Sequence, residues 1–450
     1  MTSVHLRRAL LPEGWAGDVR LSFRGGVIAA VEPGQKPAPG DERHGVGVPG
    51  MANLHSHAFQ RAMAGLTEQR GPATDTFWTW RETMYRFALS IGPEEVQAVA
   101  ALLYAEMLEA GFTSVGEFHY LHHAPDGTPY TNIAELAERI VAAASGTGIG
   151  LTLLPVFYAH GNFGGAAAHD GQRRFLNDPA RFAELLAASR AAVARLPGAR
   201  IGVAPHSLRA VTEAELGGVV ALADDGPVHM HVAEQVREVE DSVAFSGQRP
   251  VEWLLARFAV DARWCLIHAT HMTAQETTAL ARTGAVAGLC PLTEGNLGDG
   301  TFPARTFRAA GGRFGVGSDS NVQIGVAAEL RQLEYAQRLA HRERNVMAES
   351  GGSTGRALFE AAASGGAQAL GGAHGFRVGA PADLVTLADE NPLYAHLSDD
   401  RLLDAWVFSA GNALVDCVWA GGVRRVTGGR HHDRPALAAT YRAAMARLLG

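Results

Sequence analysis

From about residue 48 onward the chain alternates short apolar runs with longer segments of helical period. The apolar runs span 48–54, 113–118, 150–157, 200–205, 227–232, 265–268, 285–290 and 313–318. Each is rich in Val, Ile, Leu or Ala and lacks strict polar alternation, the pattern of strands buried on both faces. Between them, 93–110, 132–144, 178–195 and 274–282 read as helices, the first running into a stop at Gly111. Eight strands separated by helices is the count of a (β/α)8 TIM-type barrel. An open doubly wound sheet is the other arrangement of such units, but eight similar ones favour closure.

The two ends follow a different pattern. Alternating pieces at 4–6, 19–23 and 27–31, and again within 376–430, are broken by Gly and Pro. Neither end is long enough to build a core alone, so both are expected to pair into one small β-sandwich packed on the barrel. The expected domains are 1–47 and 376–450 as the two parts of that unit, with the barrel over 48–375. An amphipathic helix is expected over 435–449.

The 450 residues are 47% hydrophobic and 19% charged, enough apolar content for a sizeable core. A net charge of −7 without a dense basic block argues against nucleic acid or an anionic membrane as partner. Cys265, Cys290 and Cys417 are too scattered for a disulfide framework or a Cys-based zinc site, which points to a reducing compartment. There is no signal-peptide pattern and no apolar run of membrane-spanning length, so a cytoplasmic location is expected. Of 39 basic residues only Lys36 is lysine, which removes P-loop, Schiff-base and carbamylated-lysine chemistry from the body of the chain.

Catalytic groups of a parallel barrel project from the C-terminal strand ends. Here those ends carry His55 and His57 on strand one, His206 on strand four, and His231 followed by Glu234 on strand five. His268 ends strand six and Asp319 strand eight. His55 and His57 are two apart and share one face of an extended strand. Imidazole nitrogens suit Zn²⁺, and a carboxylate from another strand completes a site with room for water. His229 competes for a ligand role, but its deeper position suits a packed core histidine.

The segments PGMANLHSH (49–57), HVAE (231–234), IHAT (267–270) and GVGSD (315–319) resemble the amidohydrolase superfamily. Its members share the barrel, the small β-domain from both termini, and the metal pattern. The resemblance implies His55, His57, His231 and Asp319 as ligands of one metal. Binuclear members use a carbamylated lysine near the end of strand four, where this chain has His206. One Zn²⁺ per subunit is therefore expected, with Fe²⁺ or Mn²⁺ as alternatives. Asp319 would also accept the proton of the attacking water. Glu234 would shuttle a proton to the substrate nitrogen, and His268 would stabilise the tetrahedral centre.

A narrower resemblance rests on FQRAMAGL (59–66), FWTWRE (77–82), EFHYLHH (117–123), HSLRAV (206–211), RWCLIHATH (263–271) and TEGNLGDG (293–300). These are similar to the formimidoylglutamate deiminase family, which hydrolyses N-formimino-L-glutamate to N-formyl-L-glutamate and ammonia in histidine degradation. A substrate with two carboxylates calls for arginine forks, for which Arg209 and Arg81 are placed. The family match implies that Gln60, Tyr120 and His206 add hydrogen bonds to the glutamate moiety. Trp78 and Trp80 read as core or lid packing, and His122, His123, His431 and His432 as solvated. Asp319 is followed by Ser320 and Asn321 where several superfamily members have histidine. Glu294 either recognises the formimino nitrogen or braces its loop.

The expected partner is thus a small dicarboxylate, acted on by a cytoplasmic homodimer. The alternative enzyme is an aminohydrolase of a purine, pyrimidine or triazine, which would not need two arginines. A catalytically silent ligand-binding barrel would lack a ligand or proton shuttle, and none is missing.

Overall fold

The computed structural model describes residues 2–71 and 74–450. Parallel strands Met51–Ser56, Phe112–His119, Gly150–Phe157 and the pair Arg200–Ile201 and Ala204–Pro205 hydrogen-bond in sequence order. Val228–Val232, Trp264–His268, Val286–Leu289 and Arg313–Val316 do the same. Bridges Val203 to Val228 and Ser56 to Asp319 join the two sets, so the expected barrel is closed. Its strands are buried almost throughout, as their continuous apolar runs require.

The chain ends form one continuous eight-stranded sheet. At its centre Glu42–Pro49 pairs parallel to Thr2–Leu11 and antiparallel to Leu384–Leu387. Val4, Leu6, Leu21, Phe23, Leu384 and Trp419 gather there in a core separate from that of the barrel. The last helix, Arg434–Leu449, lies along helix Pro93–Glu109. Tyr441, Ala444, Met445 and Leu448 provide its inward stripe, and Arg434 pairs with Glu106 and Glu109.

One expected strand divides in two. The apolar run over 48–54 changes sheets at Gly50, with Glu42–Pro49 in the small sheet and Met51–Ser56 opening the barrel. Gly50 N donates to Asp383 O at 3.1 Å on one side, and Met51 N to Gly111 O at 3.3 Å on the other. A Cβ at Gly50 would sit 2.3 Å from Thr113 side-chain atoms, so only glycine lets the two layers meet this closely.

Candidate metal centre and substrate cleft

Strand one reaches the barrel mouth through a register shift, in which Asn53 pairs with Val115 and Ser56 with Glu117. The extra residue of this bulge re-aims the strand end where His55 lies. Asp319 N donates to His55 O and His57 N to Asp319 O, both at 3.0 Å, locking strand eight against strand one. Gly317 permits this approach, since a Cβ there would lie 2.7–2.8 Å from His55 backbone and Cβ atoms. Asn321 ties the corner by donating to His57 O at 3.0 Å and Asp319 O at 2.9 Å. Ala233, His268 and Asp319 all hold positive φ, so the strand ends of this site are locally strained.

The ligand-type atoms of His55, His57, His231 and Asp319 lie within 4.8 Å of one another. His55 Nε2 is 3.2 Å from His57 Nε2 and 3.1 Å from His231 Nε2, and Asp319 Oδ1 is 3.2 Å from His57 Nε2. His57 donates through Nδ1 to Phe118 O at 3.0 Å, and His231 through Nδ1 to His206 O at 3.1 Å. Both rings therefore aim an Nε2 lone pair at the common point, the orientation a metal-bound histidine needs. Burial pushes His55 down to about 3 and His231 well below the usual imidazole range, keeping both neutral. Burial alone would raise Asp319, but the adjacent His55 and His57 rings hold it well below the carboxylate range. Neutral imidazoles and an ionised carboxylate are the protonation states that fit a divalent cation.

The cleft above this cluster is lined by all five expected substrate-side residues, Gln60, Arg81, Tyr120, His206 and Arg209, together with Glu234, His268 and Asp319. Gln60 Nε2 donates to the Tyr120 hydroxyl at 2.7 Å, and His206 Nδ1 lies 3.0 Å from Ser207 Oγ. Arg81 and Arg209 each hold a buried Nε with no hydrogen-bond partner among the described residues. Helix Phe77–Ala88 contributes Phe77, Trp80, Met84 and Tyr85 to the lining.

Across the cleft, His268 Nε2 is 3.8 Å from Glu234 Oε1 and from Asp319 Oδ2. Burial would lower His268, but Glu234, Glu294 and Asp319 raise it to about 10. Burial raises Glu234 to about 6, against the pull of His268 and Arg209. Of the two roles open for Glu294, the geometry favours the brace. It accepts from His268 Nδ1 at 3.3 Å and from Cys290 N at 2.9 Å. Ser320 turns away to Thr293, 3.0 Å between hydroxyls.

Some expectations are overturned, and two further residues join the site. His122, His123 and His431 are buried, not solvated, because each ring reaches a backbone carbonyl: Val156, Leu176 and Thr147 respectively. His432 is exposed, and His229 is a core histidine bonded to Ala369 O at 2.7 Å. Glu117 accepts from Ala58 N at 2.6 Å and Tyr104 at 3.1 Å, bracing the turn after His57, and burial lifts it to about 7. Asp299, bonded by Gln235, is pushed up to about 9 by burial and by Glu234. Both lie inside family-like segments, EFHYLHH and TEGNLGDG, but only their long-range partners reveal them.

Residues 46–425 match the model of the Amidohydrolase family, and residues 1–45 that of the Formimidoylglutamate deiminase HutF N-terminal domain. The chain is 52% identical over 436 residues to formimidoylglutamate deiminase of Pseudomonas aeruginosa, covering 96% of both. It is similar to an amidohydrolase from Brucella melitensis of known crystal structure, with 59% identity, 100% coverage of both chains and a TM-score of 0.97. An adenosine deaminase from Xanthomonas campestris, solved with bound zinc, is 25% identical over 99% of this chain and 98% of its own, with a TM-score of 0.80.

Proposed function

Because the chain belongs to the amidohydrolase family, in its formimidoylglutamate deiminase branch, we propose that it hydrolyses N-formimino-L-glutamate to N-formyl-L-glutamate and ammonia. It is a hydrolase of a non-peptide carbon–nitrogen bond. The observation that carries the substrate is the pair Arg81 and Arg209, which line the cleft above the ligand cluster and whose buried Nε atoms have no hydrogen-bond partner among the described residues. Two guanidinium forks match two carboxylates. A neutral purine, pyrimidine or triazine has no anionic group to match either guanidinium.

We assign one Zn²⁺ to His55, His57, His231 and Asp319; when bound it would lower the pKa of water and polarise the substrate. Asp319 faces the cleft and takes the proton of the attacking water as its oxygen bonds to the formimino carbon. The formimino nitrogen enters protonated, so this addition yields a neutral tetrahedral carbinolamine. Glu234 carries the proton to the departing nitrogen. As the C–N bond breaks, the carbinol hydroxyl passes its own proton to the vacated Asp319 carboxylate, leaving the formyl product and ammonia, and that proton departs with the ammonia as ammonium. His268, held cationic by the carboxylates around it, offers Nε2 to the tetrahedral oxygen.

Purified protein with one equivalent of zinc, offered formiminoglutamate and a panel of aminated heterocycles, tests the substrate by ammonia release. Rapid turnover of a heterocycle and none of formiminoglutamate would overturn it. His55→Ala should lose the metal and at least about a hundredfold in activity; retention of both would sink the ligand assignment. The reading includes a cytoplasmic homodimer, whose mass sedimentation checks.

A further inference from the structure

Two guanidinium groups in one cleft repel each other, and something must hold them there without consuming the donors that bind substrate. Carboxylate partners would do the first but defeat the second. Arg209 has Glu238 only at 3.8 Å, and Glu238 is already engaged by Ala233 N at 3.0 Å and Glu234 N at 3.3 Å. The structure offers another device. The Arg81 guanidinium carbon lies 4.4 Å from the centroid of the Trp78 ring, and that of Arg209 lies 6.0 Å from it. Arg237, at the start of helix Val236–Ser246, lies 4.9 Å from the same ring.

An aromatic face attracts a cation through its quadrupole but accepts no strong hydrogen bond. A guanidinium lying over a ring therefore keeps its N–H edge for a bidentate partner. Trp78 is not among the residues lining the cleft. Its contact is with the arginines, which come from helix Phe77–Ala88 and from the loop after strand four.

We propose that Trp78 is the positioning residue of the dicarboxylate clamp, its indole face setting Arg81 and Arg209 while leaving their N–H edges free for the substrate. The proposal rests on the dicarboxylate reading above. Trp78 selects between substrates with two carboxylates and those with one, and takes no part in the hydrolytic step.

Steady-state kinetics of Trp78→Phe and Trp78→Leu test this, using formiminoglutamate and a formimino amino acid with a single carboxylate. Metal content and melting temperature identify any variant that has not folded, in which case Trp78→Tyr takes its place. KM for formiminoglutamate should rise about tenfold in the leucine variant, with kcat within about threefold of wild type. The phenylalanine variant should recover part of the loss, because it keeps a ring face, and the one-carboxylate substrate should be affected less. An unchanged KM, equal losses in the phenylalanine and leucine variants, or a fall confined to kcat would overturn the proposal. Wild-type protein inactive on formiminoglutamate would instead overturn the substrate reading on which it rests.

Discussion

Glu294 receives the Nδ1 proton of His268 at 3.3 Å, and this turns Nε2 toward Glu234 and Asp319, 3.8 Å from each. A carboxylate behind an imidazole fixes its tautomer and its direction. Glu294→Gln keeps the shape and an acceptor for Cys290 N but removes one of the three carboxylates that hold His268 protonated. The expected outcome is a fall in kcat of about 10- to 100-fold with KM nearly constant, measured on formiminoglutamate.

Glu234 sets an acid limit on activity. Its value of about 6 means that the proton-accepting carboxylate predominates above that pH and is lost below it. The acid limb of kcat/KM should therefore fall near pH 6. Glu234→Gln should flatten that limb and lower kcat by about 10²- to 10⁴-fold. The same shift has a consequence for stability. The folded chain binds this proton more tightly than the unfolded chain, whose carboxyl titrates near 4.5. Its stabilising contribution is complete below about pH 4.5 and is lost as the pH rises through about 6. The glutamine variant should therefore gain more in melting temperature over wild type at pH 7 than at pH 4.5.

The two arginines should act on binding more than on chemistry. Arg81→Ala or Arg209→Ala leaves one substrate carboxylate unmatched in a buried cleft, and each should raise KM about 10- to 100-fold. Because both hold one ligand, the double variant should lose less than the product of the single losses, which a double-mutant cycle reads directly.

Gly317→Ala tests the junction of strands one and eight. The added methyl would meet His55 backbone and Cβ atoms at 2.7–2.8 Å, and neither strand can yield without moving a ligand. A loss of about 1–3 kcal/mol is expected from chemical denaturation, accompanied by weaker zinc retention in equilibrium dialysis.

Much of this site is legible in the order of residues along the chain. Apolar runs bounded by polar ends mark where barrel strands stop, and those stops place His55, His57, His231 and Asp319 around one point. The division at Gly50 is not legible there, because the run over 48–54 stays apolar while its pairing partners change, and periodicity reports burial and not partnership. His122, His123 and His431 escape a sequence reading for a related reason. A histidine can be buried whenever a carbonyl meets its ring, and for all three those carbonyls come from residues far away in sequence. Glu117 and Asp299 carry no local signal either, because burial, not residue type, lifts their titration.

The passage of the chain through Gly50 also bears on how the molecule can be divided. Only four residues separate that glycine from His55, so the strand leading to His55 and His57 is anchored in a sheet built from both ends of the chain. Trimming to the barrel alone would cut that strand from its mooring and strip helix Pro93–Glu109 of its partner. The two layers thus share one strand, and a nick on either side of the seam should disturb His55 and His57 before it opens the barrel.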